Sequence, residues 1–419
     1  MIPLAESSSS AIVEGLFRDK YREILAVLTR EFGPAHLDTV EDAIQEAMLK
    51  ALEVWSFGEV PDNPGGWLFV TARRRLIDKL RAAKRLVSEP DGSSLEFEDD
   101  PLTASPLEDD VLKLVFICCH PELSWKSQLS LMLKNLCSMG NSEIASVLLS
   151  TPEAVKRNLT RAKTRVRDLG LEFELPDDTK VNDRLDAVLR CLYMMFNEGY
   201  LSHGGTHLTQ QSLCDQAVQL SRLLSRTNGV SDPGKVCALT ALLCLQASRL
   251  RARTNSAGVL ARLDEQDRSL WDRALISEGM RYLELSMQSK HRSSYHLQAG
   301  IAACHAIAPT YASTDWGAIL RYYDELLAIV ASPIIALNRT VAVAMTEGYA
   351  AALKAVVELE SGGELAGYYL LHALKADYQR KLGHTSLAMD SYEEALRLSN
   401  NQASSQFLQS RITECGFDH

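Results

Sequence analysis

The sequence predicts an all-α fold, and three observations carry that reading. Gly and Pro are sparse, 23 and 13 in 419 residues, and aromatics are only 7%. β-Sandwiches and barrels need more turn residues and more β-branched or aromatic runs. Apolar residues recur at helical spacing over most of the chain. Finally, 46% hydrophobic and 23% charged residues supply a large core and exclude collagen-like, disordered and disulfide-scaffold classes. The length suits two to four domains.

The N-terminal elements follow from spacing. Leu16, Tyr21, Ile24, Leu25, Leu28 and Phe32 mark one helix, broken by Gly33-Pro34. A second helix is expected to start at Asp38 or Thr39 as cap. It carries Val40, Ala43, Ile44, Ala47, Met48, Ala51 and Leu52 on one stripe. After a turn at residues 58–66, a third helix is expected from Trp67 to about Arg85, with Trp67, Val70, Ile77 and Leu80 on its packing side.

Residues 88–110 hold nine acids and no Lys or Arg, with frequent Ser, Pro and Gly, and read as a solvated, flexible linker. Helical pattern resumes at Val111 and runs to about Leu169. Beyond Arg184 the chain is Leu/Ala-rich helix. Its last third repeats. Gly348 and Gly383 are 35 apart, and Tyr323, Val357 and Tyr392, like Ile319, Leu353 and Ala388, are 34 and 35 apart. That is the period of TPR-type helical hairpins. The clearest unit is 369–400, and ordinary helical hairpins are the alternative.

Charge is uneven. The whole chain is acidic, net −10, which speaks against a general nucleic-acid coat. Yet residues 63–85 carry seven cations, among them Arg73, Arg74, Arg75, Lys79 and Arg81, against one acid, Asp78. Arg74, Asp78, Arg81 and Arg85 share a helical face. With Trp67 at the start, that face suits phosphate contact and base stacking. A second cationic element spans 151–168. Thr151 is a good cap and Pro152 suits the first helical position. Val155, Leu159, Ala162 and Val166 form the buried stripe. Glu153, Lys156, Arg157, Thr160, Arg161 and Thr164 lie opposite. A short helix at 143–148 precedes it, so the pair reads as a helix-turn-helix able to enter a major groove.

These stretches resemble a known family. Residues 42–47 (DAIQEA), 63–68 (NPGGWL) and 71–81 (TARRRLIDKLR) resemble region 2 of sigma-70-family RNA polymerase sigma factors, closest to the extracytoplasmic-function (ECF) group. Residues 111–168 resemble region 4. The remainder resembles the C-terminal extension of a subgroup ending in TPR-like helices, marked here by Cys118-Cys119-His120-Pro121, residues 196–200 (FNEGY) and residues 336–339 (ALNR). The resemblance implies a layout of region 2 at 1–87, the acidic linker at 88–110, region 4 at 111–172, a helical extension at 173–290 and TPR-like repeats at 291–419.

The implied function is that of a sigma factor and not an enzyme. Asp42, Gln45 and Glu46 match the contact with the clamp helices of the polymerase β′ subunit. Trp67, Arg73, Arg74, Arg75, Asp78 and Arg81 match the −10 reader, and Glu153, Lys156, Arg157, Thr160 and Arg161 the −35 reader. Core RNA polymerase (β′ clamp helices and β flap) and promoter DNA are the implied partners, with a regulatory protein or ligand at the C-terminal half. That half would mask or support activity. Arg74 stands where much of the group has Asn, replacing an amide suited to a base edge by a cation suited to phosphate. The fully extended linker would reach roughly 76–83 Å.

Other chemistry has less support. Cys118, Cys119 and His120 are adjacent, with no CxxC partner, and read as buried structural residues rather than metal ligands. Glu198, His203 and His207 are split by Gly204-Gly205. No cofactor or metal is expected, and no Walker A, GxGxxG or GxSxG motif occurs. The nine cysteines, the lack of a signal-peptide pattern and the lack of a long apolar run suit a cytoplasmic protein with no membrane role. The competing functional class is a helix-turn-helix activator with a TPR-type interaction domain, which leaves residues 38–85 without a role.

Overall fold

The computed structural model describes residues 20–55, 60–85, 107–175, 178–201, 207–227, 230, 232–253, 261–289, 291–399 and 402–417. All regular structure among them is helical. The chain divides into two compact units: Met1–Glu198 with Arg226–Ser231, and Gly199–Ser225 with Asp232–His419.

The first unit begins with helix α1 (20–32), a 3₁₀ turn at Pro34–His36, and α2 (Leu37–Trp55). The 3₁₀ turn feeds straight into α2, so Asp38 lies in its first turn instead of capping it, where its negative charge still faces the helix N-terminus favourably. α3 spans Pro64–Arg85 and starts three residues before the expected Trp67. The reason is Asn63, whose side-chain oxygen accepts the Gly66 N–H at 2.9 Å and lets Pro64 take the first helical position. Its buried side is Leu68, Phe69, Ala72 and Leu76, a rotation away from the expected Trp67, Val70, Ile77 and Leu80. Val70 is 44% exposed.

α4 (Leu107–Cys118) also corrects the sequence reading. Residues 107–110, expected as flexible linker, form its first turn, with Glu108, Asp109 and Asp110 placed well for the helix dipole. Asp110 is fully buried, not solvated. The rest of the acidic stretch, 88–106, lies outside the described residues. α5 (Trp125–Cys137), α6 (Asn141–Val147) and α7 (Pro152–Asp168) follow. Thr151 Oγ1 caps α7 by accepting the Ala154 N–H at 3.2 Å. Val155, Leu159, Ala162 and Val166 are its buried stripe. α8 (Asp178–Leu201) contributes Val188, Leu189, Leu192 and Phe196 to the buried core, and Arg184 Nη1 donates to Phe116 O at 3.4 Å.

In the second unit, α9 (His207–Ser225), α11 (Arg273–Ser286) and α12 (Ser294–Ile307) pack around α10 (Pro233–Ala247). Nearly every α10 residue is buried, as a helix covered on all sides requires. Then come α13 (Trp316–Ile329), α14 (Pro333–Thr346), α15 (Tyr349–Ser361), α16 (Tyr369–Lys381), α17 (Thr385–Leu398) and α18 (Gln402–Phe417), each packed on the next. Gly348 and Gly383 turn two of these hairpins at φ 96° and 82°, a region closed to most side chains. The register after them differs. Ala388 and Tyr392 are buried after Gly383, whereas Ala352 and Val356 are buried after Gly348. Val357, paired with Tyr392 by the repeat, is 45% exposed.

Candidate functional site

α2 turns two unlike sides outward and inward. Burial of Val40, Ala43, Ile44, Ala47, Met48 and Ala51 rotates Asp42, Gln45 and Glu46 into solvent. Leu49 joins them, 62% exposed, one helical repeat from Asp42. The sequence signal was that Leu49 falls off the apolar stripe, which by itself marks nothing. Lys79 of α3 reaches this face, its Nζ 2.8 Å from Glu46 Oε1 and 3.8 Å from Asp42 Oδ2. Both carboxylates are well exposed, so these pairs are screened and exchangeable for a partner's cation.

On α3, Arg74, Arg75, Asp78 and Arg81 are exposed. Val70 shares the face of Arg74 and Arg81, giving an apolar spot among cations. Arg73 is placed differently. Its guanidinium forks onto Glu31 of α1, Nη2 to Oε1 at 2.5 Å and Nε to Oε2 at 3.0 Å, a bidentate geometry that favours strong pairing. Trp67 is half-buried, with its ring centroid 5.4 Å from that of buried Trp55. The predicted cationic set is therefore divided into an outward group and one partly buried residue paired with α1.

α7 shows Glu153, Lys156, Arg157, Thr160 and Arg161 to solvent. Thr160 Oγ1 donates to Lys156 O at 3.0 Å, and Arg161 Nε to Arg157 O at 3.4 Å. Behind them, Asn158 accepts from Ser127 Oγ at 2.8 Å and donates to Ser130 Oγ at 3.1 Å, fixing α7 on α5. In the turn before α7, Leu149 has φ 47° and is 96% exposed.

Three ion pairs tie these elements together, and the sequence alone points to none of them. Arg30 Nη1 of α1 lies 2.6 Å from Asp110 Oδ2 of α4. Lys163 of α7 sits between two carboxylates of α2, 2.7 Å from Asp38 Oδ1 and 2.9 Å from Glu41 Oε2. Glu41 is 2% exposed, and its Oε1 has no hydrogen-bond partner. Burial pushes its pKa up, an effect that Lys163 opposes without cancelling. Burial alone would lower Lys163, but Glu41 and Asp38 outweigh it and hold the ammonium above its ordinary value.

The cysteines are free thiols. Cys118 Sγ accepts from Asn135 Nδ2 at 3.7 Å, and burial pushes Cys118 and Cys137 up to about 12. Cys119 is also raised, through its contact with Cys191 and through burial. His120 Nδ1 accepts the Glu122 N–H at 3.2 Å, and burial and then Arg184 lower its pKa. His203 and the side chain of His207 lie outside the described residues.

An uncharacterized protein of Rhizobium meliloti (strain 1021), R00370, is 36% identical over 398 residues, covering 93% of this chain and 92% of that protein. The chain belongs to the family of that protein. Residues 16–86 match sigma-70 region 2, so the N-terminal helices form a sigma-70 region 2 domain. Residues 184–287 match a family of unknown function. No solved structure matches the chain. Sigma-70 proteins are transcription factors rather than enzymes. The region 2 match supports a sigma-factor-like role in transcription initiation, for which that family implies core RNA polymerase and promoter DNA as partners. No helix among the described residues is long and apolar enough to cross a membrane.

Proposed function

We propose that this protein is a sigma factor of the ECF group that binds core RNA polymerase and directs initiation from a restricted promoter set, acting in the cytoplasm. The observation that carries the reading is the pair of faces within the matched region 2. α2 offers Asp42, Gln45, Glu46 and the exposed Leu49, while the adjoining α3 offers Arg74, Arg75 and Arg81. An acidic-apolar face docks a cationic partner helix, and a neighbouring cationic face follows a nucleic-acid strand. We assign the −35 duplex to the exposed Lys156, Arg157, Thr160 and Arg161 of α7, as region 4, with Glu153 at its rim. The C-terminal hairpins act as a TPR-like regulatory module.

The test is the affinity of the full-length protein for bacterial core RNA polymerase, beside an Asp42→Ala, Gln45→Ala, Glu46→Ala triple variant. Tight binding that the variant loses supports the reading. No binding by the folded wild type, combined with steeply salt-dependent binding to free duplex, replaces it with an activator that never joins the polymerase.

A further inference from the structure

The second unit contains partly buried positive charge that none of these roles uses. Arg268, on the 3₁₀ turn Arg268–Leu270, lies with its guanidinium carbon 4.6 Å from the Trp271 ring centroid. Its Nη1 donates to His305 O at 2.6 Å and Ala308 O at 2.7 Å, closing the C-terminal end of α12. That contact explains one of its nitrogens. Its Nη2 is buried with no hydrogen-bond partner, and the same holds for Trp271 Nε1 and His305 Nδ1. Three orphaned nitrogens on three neighbouring side chains are unusual, because buried polar groups normally find partners.

The Asp272 N–H donates to Ser248 O at 2.7 Å, which brings the chain at Arg273 beside that at Arg249. Burial, then Arg249 and Arg273, lower the Arg268 pKa, the reverse of Arg222, whose pKa is raised beside Glu278. Arg249 donates to the neutral Gln246, and Arg253 stacks on Tyr200 at 3.6 Å. The nearest acids in sequence cap backbone instead. Asp267 accepts the Ser269 N–H at 2.8 Å, and Asp272 accepts Ala274 and Leu275 N–H groups at 2.9 and 3.1 Å. His305, pushed down to about 3 by burial and by Arg249 and Arg268, stays neutral. Arg249 and Arg268 are partly buried and Arg273 is exposed; partly desolvated guanidiniums without a counter-charge are costly, and an anion relieves that cost.

We propose that Arg249, Arg268, Arg273 and Trp271 form an oxyanion site in the second unit that takes a phosphate group. A carboxylate is satisfied by one guanidinium fork, whereas several guanidiniums and an indole N–H suit the higher charge and the larger number of oxygens of a phosphate dianion. The site gives the C-terminal half a small-molecule input, and it stands independently of the sigma-factor reading.

The test is a titration of the full-length protein followed by the indole N–H resonance of Trp271, assigned by its loss in Trp271→Phe. Inorganic phosphate, a sugar phosphate and acetate are compared, with melting curves as the fold check. Phosphate is expected to shift the resonance, and Arg249→Gln is expected to weaken binding about tenfold, the worth of one charge-assisted hydrogen bond. Arg273→Gln, at an exposed position, gives the same direction if Arg249→Gln fails to fold. Tighter binding of the sugar phosphate identifies an organic monoester as ligand, and tighter binding of inorganic phosphate identifies the free ion. A resonance unmoved at about 10 mM phosphate, or affinity untouched by the folded arginine variants, overturns the proposal.

Discussion

Lys163 of α7 reaches back across 122 residues of sequence to place its ammonium 2.9 Å from Glu41 of α2. The pair is mostly shielded from water, with side-chain exposures of 13% and 3%. Removing one partner therefore strands the other. Lys163→Ala is expected to destabilise the first unit by about 3 kcal/mol, in the range for an orphaned buried charge. A Lys163→Met, Glu41→Gln double variant should recover most of that loss, as coupled neighbours do. Urea unfolding of the full chain measures both, and equal losses in the single and double variants would refute the coupling.

The same pair gives two pH windows. Glu41 is raised by burial, with Lys163, Lys134 and Asp38 as its charged neighbours. The folded state thus holds the Glu41 proton to higher pH than the unfolded chain does. Its contribution to stability is greatest in acid and fades as pH rises from about 4.5 through the folded pKa. Lys163 has the opposite partner logic. Its raised value gives stability present below about 10.5 and lost as pH rises through the folded pKa. Melting temperatures across pH should show Glu41→Gln abolishing the acid-side slope and Lys163→Met the alkaline one.

Leu49 is expected to matter for binding and not for folding. At 62% exposure it loses little on truncation in the free protein. Covered by a partner, it would contribute about 1.5 kcal/mol, roughly tenfold in affinity. Leu49→Ala should keep its melting temperature and lose about that factor in core-polymerase affinity. A stable variant with unchanged affinity would remove Leu49 from the interface.

The arginines of α3 should separate into two phenotypes. Arg73→Ala breaks the fork with Glu31 and is expected to cost about 1–2 kcal/mol of stability. Arg74→Ala and Arg81→Ala should leave stability intact and reduce promoter opening, with a shallower salt dependence. Permanganate footprinting of the opened strand, alongside thermal melts, distinguishes them.

If α3 and α7 read the −10 and −35 elements, they must reach sites about 80 Å apart, at 3.4 Å per base pair. Lys163 of α7 lies 2.9 Å from Glu41 of α2, and α2 packs on α3, so helices held in this arrangement do not span that distance. Energy transfer between dyes at Glu53→Cys and Asp168→Cys, both exposed positions outside the assigned binding faces, is expected to fall sharply on binding polymerase and promoter. Undiminished transfer in a complex that still initiates would show that the two helices act without parting.

Periodicity made much of this legible. The buried stripes of α2 and α7 come from helical spacing, because one face of each helix packs on its own neighbourhood. Long-range electrostatics were not legible. Asp110 looked like one solvated acid among nine, yet Arg30, 80 residues away, draws it into the core. Glu41 sat in an acidic run and became its buried member because Lys163 meets it there. Val70 shows a third limit. A stripe one rotation off leaves an apolar residue outside, and only the position of the packed neighbour fixes the rotation.

The thiols of this protein are mostly held away from water. Of nine free cysteines, eight are buried, and burial holds Cys118, Cys137, Cys214 and Cys244 near 12. At neutral pH almost none of these is thiolate, the form that peroxides and disulfides attack. These four thiols are therefore poor targets for mild oxidants. Their burial also means that cysteines placed on the surface can report on this protein with little competition from its own.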